Sequence, residues 1–479
     1  MAASFHFEYS IAFSPESAAE TLRAIPALPG VFALHGPPAA EGQAPAQPYL
    51  THAADLRRRI TRILAPPDFQ SKRLNLRDHV ARIDFTVTGS EFESAFTLYH
   101  ATVSIFSQTE GRRRLRLHTP FFLRFTAENS YPRVYSTNRL SRRALAHTYG
   151  PFPSHAAADR YCDAVLDLFK LRRCYEDLAP YPEHPGCVYQ EMNKCLAPCN
   201  QACTPAGAAA YATEAAAVEA FFNTRGESLL AQLTAEREQA SADLDYERAA
   251  QLHAHFLRVK SAAALADPLV QPIPRLRAII IQKAAQLGVP QLSSEMWDNA
   301  EPSAAVFLLA SGCIAGPGRL STLGVRAVKD QTSVGTSLYA QPLMLEAVPL
   351  ADDVAAEPGA PRLDSETWVA APESVSATAL NPEIRASTVV TSLEQQTSAH
   401  ATGAAQPDLA TLSDHLSLLR RWYYRPEKQR IGEVFFPKED GSWPIRRILN
   451  AAARASFGEP KSVPEAPFQQ HPTPTEEVH

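Results

Sequence analysis

Residues 14–25, "SPESAAETLRAI", repeat their apolar positions at a helical period. The pattern then breaks at "PALPG" and becomes a short apolar run, "GVFALHG", that predicts a strand. Ser14 is a plausible cap for this helix, with Pro15 at its first position. "PYLTH" reads as a second strand and "AADLRRRITRIL" as a basic helix, while "ARIDFTVTG" alternates like a strand. "SEFESAFTLYHATVSIF" predicts a helix with Ser90 as cap and Glu93 three residues on, a capping box. Strands follow around "RLRLHTPFFLRF" and "RVYSTN". "TYGPFPS" reads as a Gly/Pro turn leading into the helix "HAAADRYCDAVLDLFKLRRC".

Residues 205–263 are rich in Ala and Glu, keep a helical period and almost lack glycine, which predicts two antiparallel helices broken at "NTRGES". From 264 to 350 the strand-like runs are "RAIIIQ" and "AAVFLLASGCIAG". Residues 351–410 are dominated by Ala, Ser, Thr and Pro, a composition that buries little and predicts a linker. Order is expected again over 411–457, followed by a Pro/Glu-rich tail after Pro460. The fold class is therefore mixed α/β (α+β) in several modules, with boundaries near 14–105, 106–204, 205–263, 264–350, 351–410 and 411–457.

Length and composition agree with that division. A chain of 479 residues corresponds to about two to four domains, and 45% hydrophobic content supplies ordinary cores. The net charge of −5 hides an asymmetry: residues 1–200 carry 23 Lys and Arg against 19 Asp and Glu, the remainder 23 against 32. Arg57, Arg58 and Arg59, and Arg112, Arg113 and Arg114, form basic clusters. Such runs commonly make a solvated face; the sharper reading is phosphate binding, because the guanidinium fork matches phosphate oxygens. The sequence predicts no secretory signal and contains no run of ~18 apolar residues, so a cytoplasmic protein with no membrane span is expected. Disulfides are rare in that compartment, which turns attention to metal ligands or reactive thiols.

Four of the seven cysteines fall within "CVYQEMNKCLAPCNQAC", residues 187–203. Cys174, Cys187, Cys195 and Cys199 are spaced 13, 8 and 4 apart. Thiolates suit zinc or an iron–sulfur cluster, and spacing does not separate the two. Arg172, Arg173 and Lys194 nearby would favour thiolate over thiol. The plainer alternative is a set of buried small side chains. Cys203 is a spare thiol outside the set and Cys162 reads as core.

"RRCYEDLAPYPEHPGCVYQEMNKCLAPC" resembles the middle of bacterial UvrC, the incision subunit of nucleotide excision repair, whose members carry "LR-x-C" and then a cysteine, seven residues and "C-L-x-P-C". "TYGPFPS" looks like the family's "YFGPYPS", and "ENSYPRVYSTN" like the strand before it. "EQASADLDYERAAQLHAHFLRVK" is similar to the UVR motif, a helical hairpin of UvrC and UvrB. The resemblance runs over about residues 14–263. It implies that Cys174, Cys187, Cys195 and Cys199 hold a four-iron four-sulfur cluster, with zinc as the alternative. Leu244, Tyr246, Ala249, Ala250, Leu252 and Phe256 form an apolar stripe that a short hairpin cannot bury alone. The resemblance implies a UvrB-type partner for it, with UvrA engaged indirectly; packing against the chain's own core is the alternative.

UvrC begins with a GIY-YIG nuclease domain, and "PGVFALHG" and "QPYLTHAADLRRRI" stand where the family has "PGVY" and "YVGKAKNLRKRV". Such a site uses two tyrosines, an arginine on the phosphoryl oxygens and a carboxylate holding one divalent metal, Mg2+ in an active enzyme. Here the resemblance leaves Tyr49 and Arg59. Phe32 replaces the first tyrosine and His52 the lysine, and alignment of the next helix with "SEAEALLLE" puts Leu98 at the carboxylate. Glu93 lies five residues earlier, about 140° round a helix. An impaired site is expected.

Residues 264–350 could hold a remnant of the family's second nuclease, an RNase H-like domain, without its acidic cluster. "LLRRWYYRPEKQR" interleaves Arg421 and other arginines with Trp422, Tyr423 and Tyr424, and "WPIRRIL" repeats the pattern. Aromatic faces stack bases while guanidinium groups hold phosphate, although a packed amphipathic helix gives the same pattern. DNA contacts are thus expected from Arg57, Arg58, Arg112, Arg113, Arg114, Arg421 and Trp422. The sequence points to a UvrC-like DNA-binding repair subunit. Two other readings stay open: a working excision endonuclease, and a redox-responsive iron–sulfur DNA-binding protein.

Overall fold

The computed structural model describes residues 5–38, 46–66, 74–175, 178, 180–200, 204–285, 302–323, 325, 381–402 and 408–457. Cys203, the tail after Pro460 and most of the expected linker lie outside the described residues. No helix among those described is long and apolar enough to cross a membrane.

The first sheet takes strands β1 (Tyr9–Ala12), β2 (Gly30–His35), β3 (Tyr49–Ala53) and β4 (Arg82–Val87) in the order β1-β4-β2-β3, every neighbour antiparallel. Phe32, Leu34, Ile83 and Phe85 share one face by register and meet Leu56, Ile60 and Ile63 of α2 (Leu56–Ile63). Helix α1 (Ala18–Ala24) is shorter than expected: its cap is Ser17, and Ser14 hydrogen-bonds to the Ser17 backbone instead. The expected α3 is present as Glu91–Phe106, capped by Ser90, whose side chain accepts from Glu93 N. Helix α4 (Gln108–Arg114) then takes the arginine run, where the sequence predicts the approach to a strand.

The second sheet, β6-β5-β7-β8, uses β5 (Phe121–Phe125), β6 (Val134–Thr137), β7 (Thr148–Phe152) and β8 (Gln271–Pro272). "TYGPFPS" is thus not a turn. Its first five residues are a fully buried strand, because Tyr149 and Phe152 are needed in the core beneath α5 (His155–Leu166). The region 205–263 forms three helices rather than two: α7 (Pro205–Thr224), α8 (Glu227–Ala242) and α9 (Tyr246–Ala263). The expected break at "NTRGES" is real, with Arg225 and Gly226 at positive φ; a second break falls at Leu244, also at positive φ. A one-turn helix, α6 (Val188–Glu191), sits in the cysteine segment.

The third sheet, β11-β10-β9-β12, is antiparallel throughout and consists of β9 (Arg277–Lys283), β10 (Ser303–Ala310), β11 (Cys313–Ser321) and β12 (Glu433–Phe435). Its central strands are apolar on both sides, as covering on both faces requires. Ile279, Ile281, Val306 and Leu308 pack against α10 (Pro382–Thr402) and α12 (Ile445–Phe457). Ile280, Phe307 and Leu309 pack against α11 (Leu409–Tyr423) and against Phe92, Phe96 and Tyr99 of α3. Helix α10 corrects the linker expectation: Ala386, Val390 and Leu393 repeat at helical spacing and are buried on the sheet, although the surrounding composition is Ala/Ser/Thr-rich.

Helix α3 therefore serves two modules at once. The joint is closed by a buried charge. Asp414 of α11 is 0% exposed; Arg112 Nε of α4 lies 3.2 Å from its Oδ1, and Tyr99 of α3 donates its hydroxyl to Oδ2 at 3.3 Å. Burial raises the Asp414 carboxyl above its ordinary value while Arg112 opposes the shift. Removing one partner of a buried ion pair strands the other, so Asp414→Ala should lower stability by about 3 kcal/mol, read as the shift in a urea midpoint. A variant as stable as the parent would show that the pair does not hold the modules together.

Candidate functional site

Antiparallel register places Phe32 opposite Thr51 and Leu34 opposite Tyr49, so the nuclease-like positions begin on adjacent strands. Phe32 is fully buried and its ring centroid is 6.3 Å from that of Tyr49, which is half-buried. Helix α2 starts at Asp55, whose side chain accepts from Arg58 N at 2.8 Å. Its positions divide by partner. Arg57 donates Nε to Ile25 O at 2.6 Å, whereas Arg59, half-buried, and Arg58, exposed, make no side-chain hydrogen bond or ion pair with a described residue. His52 projects from the opposite side of β3 to Tyr49 and Thr51, as strand alternation demands.

Leu98 is buried on α3, at 8% exposure. The two carboxylates of α3 are both engaged. Glu91 makes a two-pronged pair with Arg425, at 2.5 and 2.7 Å, and the Arg425 hydrogen bonds hold its carboxyl below the ordinary value, with His52 adding to the effect. Glu93 is buried, and its Oε2 accepts from Gly89 N at 2.7 Å. This is one residue before the cap residue that a capping box would use. Gly89 itself lies against the end of β9: a Cβ there would stand 2.1 Å from the Ala284 carbonyl carbon. Burial pushes the Glu93 carboxyl up to about 7. Both acids of α3 are thus engaged by other partners, and β9, β10 and β11 carry no acidic residue.

The cysteine segment brings its thiols into one neighbourhood. Cys195 and Cys199 are buried; Cys174 and Cys187 are half-buried. Burial pushes the Cys195 thiol up to about 11, and Cys187, Cys174 and Cys199 each add to the rise. Cys199 is raised by burial and by Cys187 and Cys174. The backbone N–H of Ala197 points at Cys195 Sγ, 3.3 Å away. The cations expected to favour thiolate are largely spent elsewhere: Arg173 and Lys194 both bind Asp167, and Arg172 donates Nε to Tyr131 O while its Nη1 lies 3.8 Å from Cys174 Sγ. Four thiols within mutual electrostatic reach fit a thiolate-bound metal group as a donor set. As the side chains lie, no three His, Cys, Asp or Glu among the described residues form a group that would hold a metal ion.

The hairpin stripe splits in two. Leu252 and Phe256 pack partly against the core of the second sheet, and Val259 is fully buried. At the tip, Leu244 and Tyr246 are 68% and 67% exposed, with Asp245 capping α9 by accepting from Arg248 N. Ala249 lies half-buried between these two parts.

Several arginines expected on DNA make contacts within this chain. Arg112 is held by Asp414, and Arg113 and Arg114 pair with Glu110. Arg421 donates to the carbonyl oxygens of Leu115 and Arg116. Trp422 is buried against Phe92, its indole N–H on Ile431 O, so its face is not open to a base. Arg425, which the sequence shows only as one member of a basic run, is the residue that reaches Glu91; only the three-dimensional packing of α11 on α3 brings them together.

Two family models match the chain: the UvrC/Cho excinuclease middle domain over residues 121–221, and the UvrB/uvrC motif over 227–254. Among curated proteins, UvrABC system protein C of Idiomarina loihiensis is 29% identical over 211 residues, covering 42% of this chain and 32% of the relative. The Salmonella heidelberg protein of the same name is 27% identical over 239 residues, 50% of this chain and 37% of the relative. The one from Edwardsiella ictaluri is 28% identical over 212 residues, 44% and 34%. The chain thus spans about a third of the length of the curated relatives it matches. No solved structure matches it.

The walled-in Glu93 makes a measurable signature. Its folded value, about 7, lies above the ordinary 4.5, so the fold prefers the protonated acid. The stability it contributes is complete below about pH 4.5 and is lost as pH rises through about 7. Glu93→Gln, which keeps an oxygen for Gly89 N–H, should flatten the rise in melting temperature between about pH 8 and 5. An unchanged pH slope in the variant would refute the assignment.

Proposed function

The chain belongs to the UvrC family through residues 121–254, and on that premise we propose that it is a cytoplasmic subunit of nucleotide excision repair that binds DNA and a UvrB-type partner while cutting DNA poorly. The observation carrying this reading is the succession, in family order, of the UvrC middle domain and a UVR hairpin whose tip leaves Leu244 and Tyr246 uncovered. Exposed apolar side chains at a hairpin end are what a like hairpin on a partner would bury. UvrA is engaged indirectly, through that partner.

The impaired site is supported by chemistry. Phe32 has no hydroxyl to relay a proton, and Leu98 has neither charge nor lone pair for a cation. Glu91 is neutralised by Arg425 and Glu93 is sealed against Gly89. Tyr49 and Arg59 keep the capacity to seat a backbone phosphate, the guanidinium fork on its oxygens and the phenol beside it. Seating without a metal-holding carboxylate binds DNA and does not lower the barrier to hydrolysis enough for efficient incision.

Cys174, Cys187, Cys195 and Cys199 would hold the metal group, an iron–sulfur cluster or zinc, which when bound would supply a rigid cross-link between the cysteine loop and its surroundings. The chain's own part is to position the loop. Tyr211 of α7 donates its hydroxyl to Pro132 O at 2.7 Å and accepts from Arg172 N at 3.1 Å, tying the start of the segment to the second sheet. Filling the site requires the raised thiols to lose their protons, so loading should be favoured by alkaline conditions. Metal analysis after anaerobic purification should find iron or zinc, absent from Cys195→Ser; a metal-free parent protein would remove this part of the proposal.

Incision is tested by replacing an ordinary UvrC with this chain in a reconstituted reaction with UvrA, UvrB and a lesion-bearing duplex. Little or no cutting is expected. Efficient cutting that Arg59→Ala abolishes would reinstate the active endonuclease. Binding to UvrB should weaken about tenfold or more in Leu244→Asp/Tyr246→Asp, with the melting curve unchanged because both residues are exposed; undiminished binding would exclude the hairpin tip as the docking point.

A further inference from the structure

Some arginines that sequence runs single out, Arg112 and Arg421 among them, are held by the fold, while others outside those runs have no such partner among the described residues. Arg142 and Arg143 begin a short helix, Arg142–His147, which packs against a one-turn helix, Ile273–Arg275. Arg275 and Arg225 then line the same cavity of about 410 Å³, together with Asn223, Thr224 and Gln271. All four arginines are exposed, and none makes a side-chain hydrogen bond or ion pair with a described residue. Arg225 stands at the end of α7 with φ +53, in the left-handed region that favours glycine. An arginine tolerated there presents its side chain where the ordinary residue would present none.

We infer that these four arginines form a second DNA-binding surface, in which the cavity between Arg225 and Arg275 seats one backbone phosphate and Arg142 and Arg143 bind its neighbours. The inference rests on the reading of the chain as a DNA-binding repair subunit and names where part of that binding occurs. Asn223 Oδ1 accepts from Tyr149, and its amide nitrogen has no acceptor among the described residues, so it joins the guanidinium forks as a donor. Glu227 and Glu439 also line the cavity. Their charge opposes a multiply charged polyphosphate and leaves a singly charged phosphodiester as the better guest. Nearby Glu219 pairs with His147, and Asp267 accepts from Tyr424 while lying within electrostatic reach of Arg225.

The test measures anisotropy of a labelled duplex with the full-length chain across a salt series. Removing one arginine–phosphate pairing lowers the salt slope by about 0.9. Arg142→Ala/Arg143→Ala/Arg275→Ala should reduce the slope by about two to three and the affinity about tenfold or more near 0.1 M salt. Arg225→Gly, which keeps the left-handed backbone, should reduce the slope by about one. Replacement of all four by lysine should retain most of the slope. If the parent binds DNA and the alanine and glycine variants keep its slope and affinity, this surface is overturned while the repair reading stands. If the parent does not bind DNA, both fall.

Discussion

A carboxylate held out of water at Asp414 pins α11 of the third module to α3 and α4 of the first. It needs a cation and a donor close by, and Arg112 and Tyr99 supply them from segments about three hundred positions away. A buried pair of this kind adds little net stability over apolar packing, yet it penalises every arrangement that separates its members. It therefore acts chiefly as a register pin. With α4 and α11 fixed to each other, α3 is trapped between the first and third sheets. Its Phe92, Phe96 and Tyr99 must face the third, and its remaining surface the first. The placement of Leu98, Glu91 and Glu93 follows from that trap rather than from any requirement of catalysis.

This joint explains why the candidate nuclease site is only half legible in the sequence. Residue type alone says that Phe32 brings no hydroxyl and Leu98 no carboxylate, and Ser90 announces the start of α3 by its cap. What sequence could not supply is the fate of the two carboxylates nearby. Arg425 meets Glu91 only because α11 lies on α3, a pairing across 334 positions. Glu93 is sealed only because Gly89 closes against Ala284. Helical periodicity says which way a side chain leaves its own helix; it does not say what waits there.

The same limit runs through the fold. Strands with clean alternation or β-branched runs, such as "ARIDFTVTG" and "RAIIIQ", fall where their pattern predicts. "TYGPFPS" misleads because Gly and Pro usually punctuate, whereas here they sit in a strand that only two neighbours in space make into one. Helix α10 hides inside a composition typical of linkers, since three aliphatic residues, Ala386, Val390 and Leu393, are enough when a sheet face is there to receive them. Basic runs mislead for a related reason. In Arg112, Arg113 and Arg114, three charges along the chain are met in space by two carboxylates, Asp414 and a shared Glu110.

The hairpin divides one apolar stripe between a packed base and an uncovered tip. Its base, Leu252, Phe256 and Val259, is within reach of the second sheet and is used there. Its tip lies beyond that reach, so Leu244 and Tyr246 remain in water at a cost of roughly 1.5–3 kcal/mol each relative to full burial. Leu244 also occupies the left-handed turn between α8 and α9, a conformation that disfavours a branched side chain. Neither feature helps this chain fold. The apolar exposure is recovered only when a second apolar surface covers the tip; the backbone cost stays. The base anchors the hairpin by itself, so the tip is held in place within this chain alone.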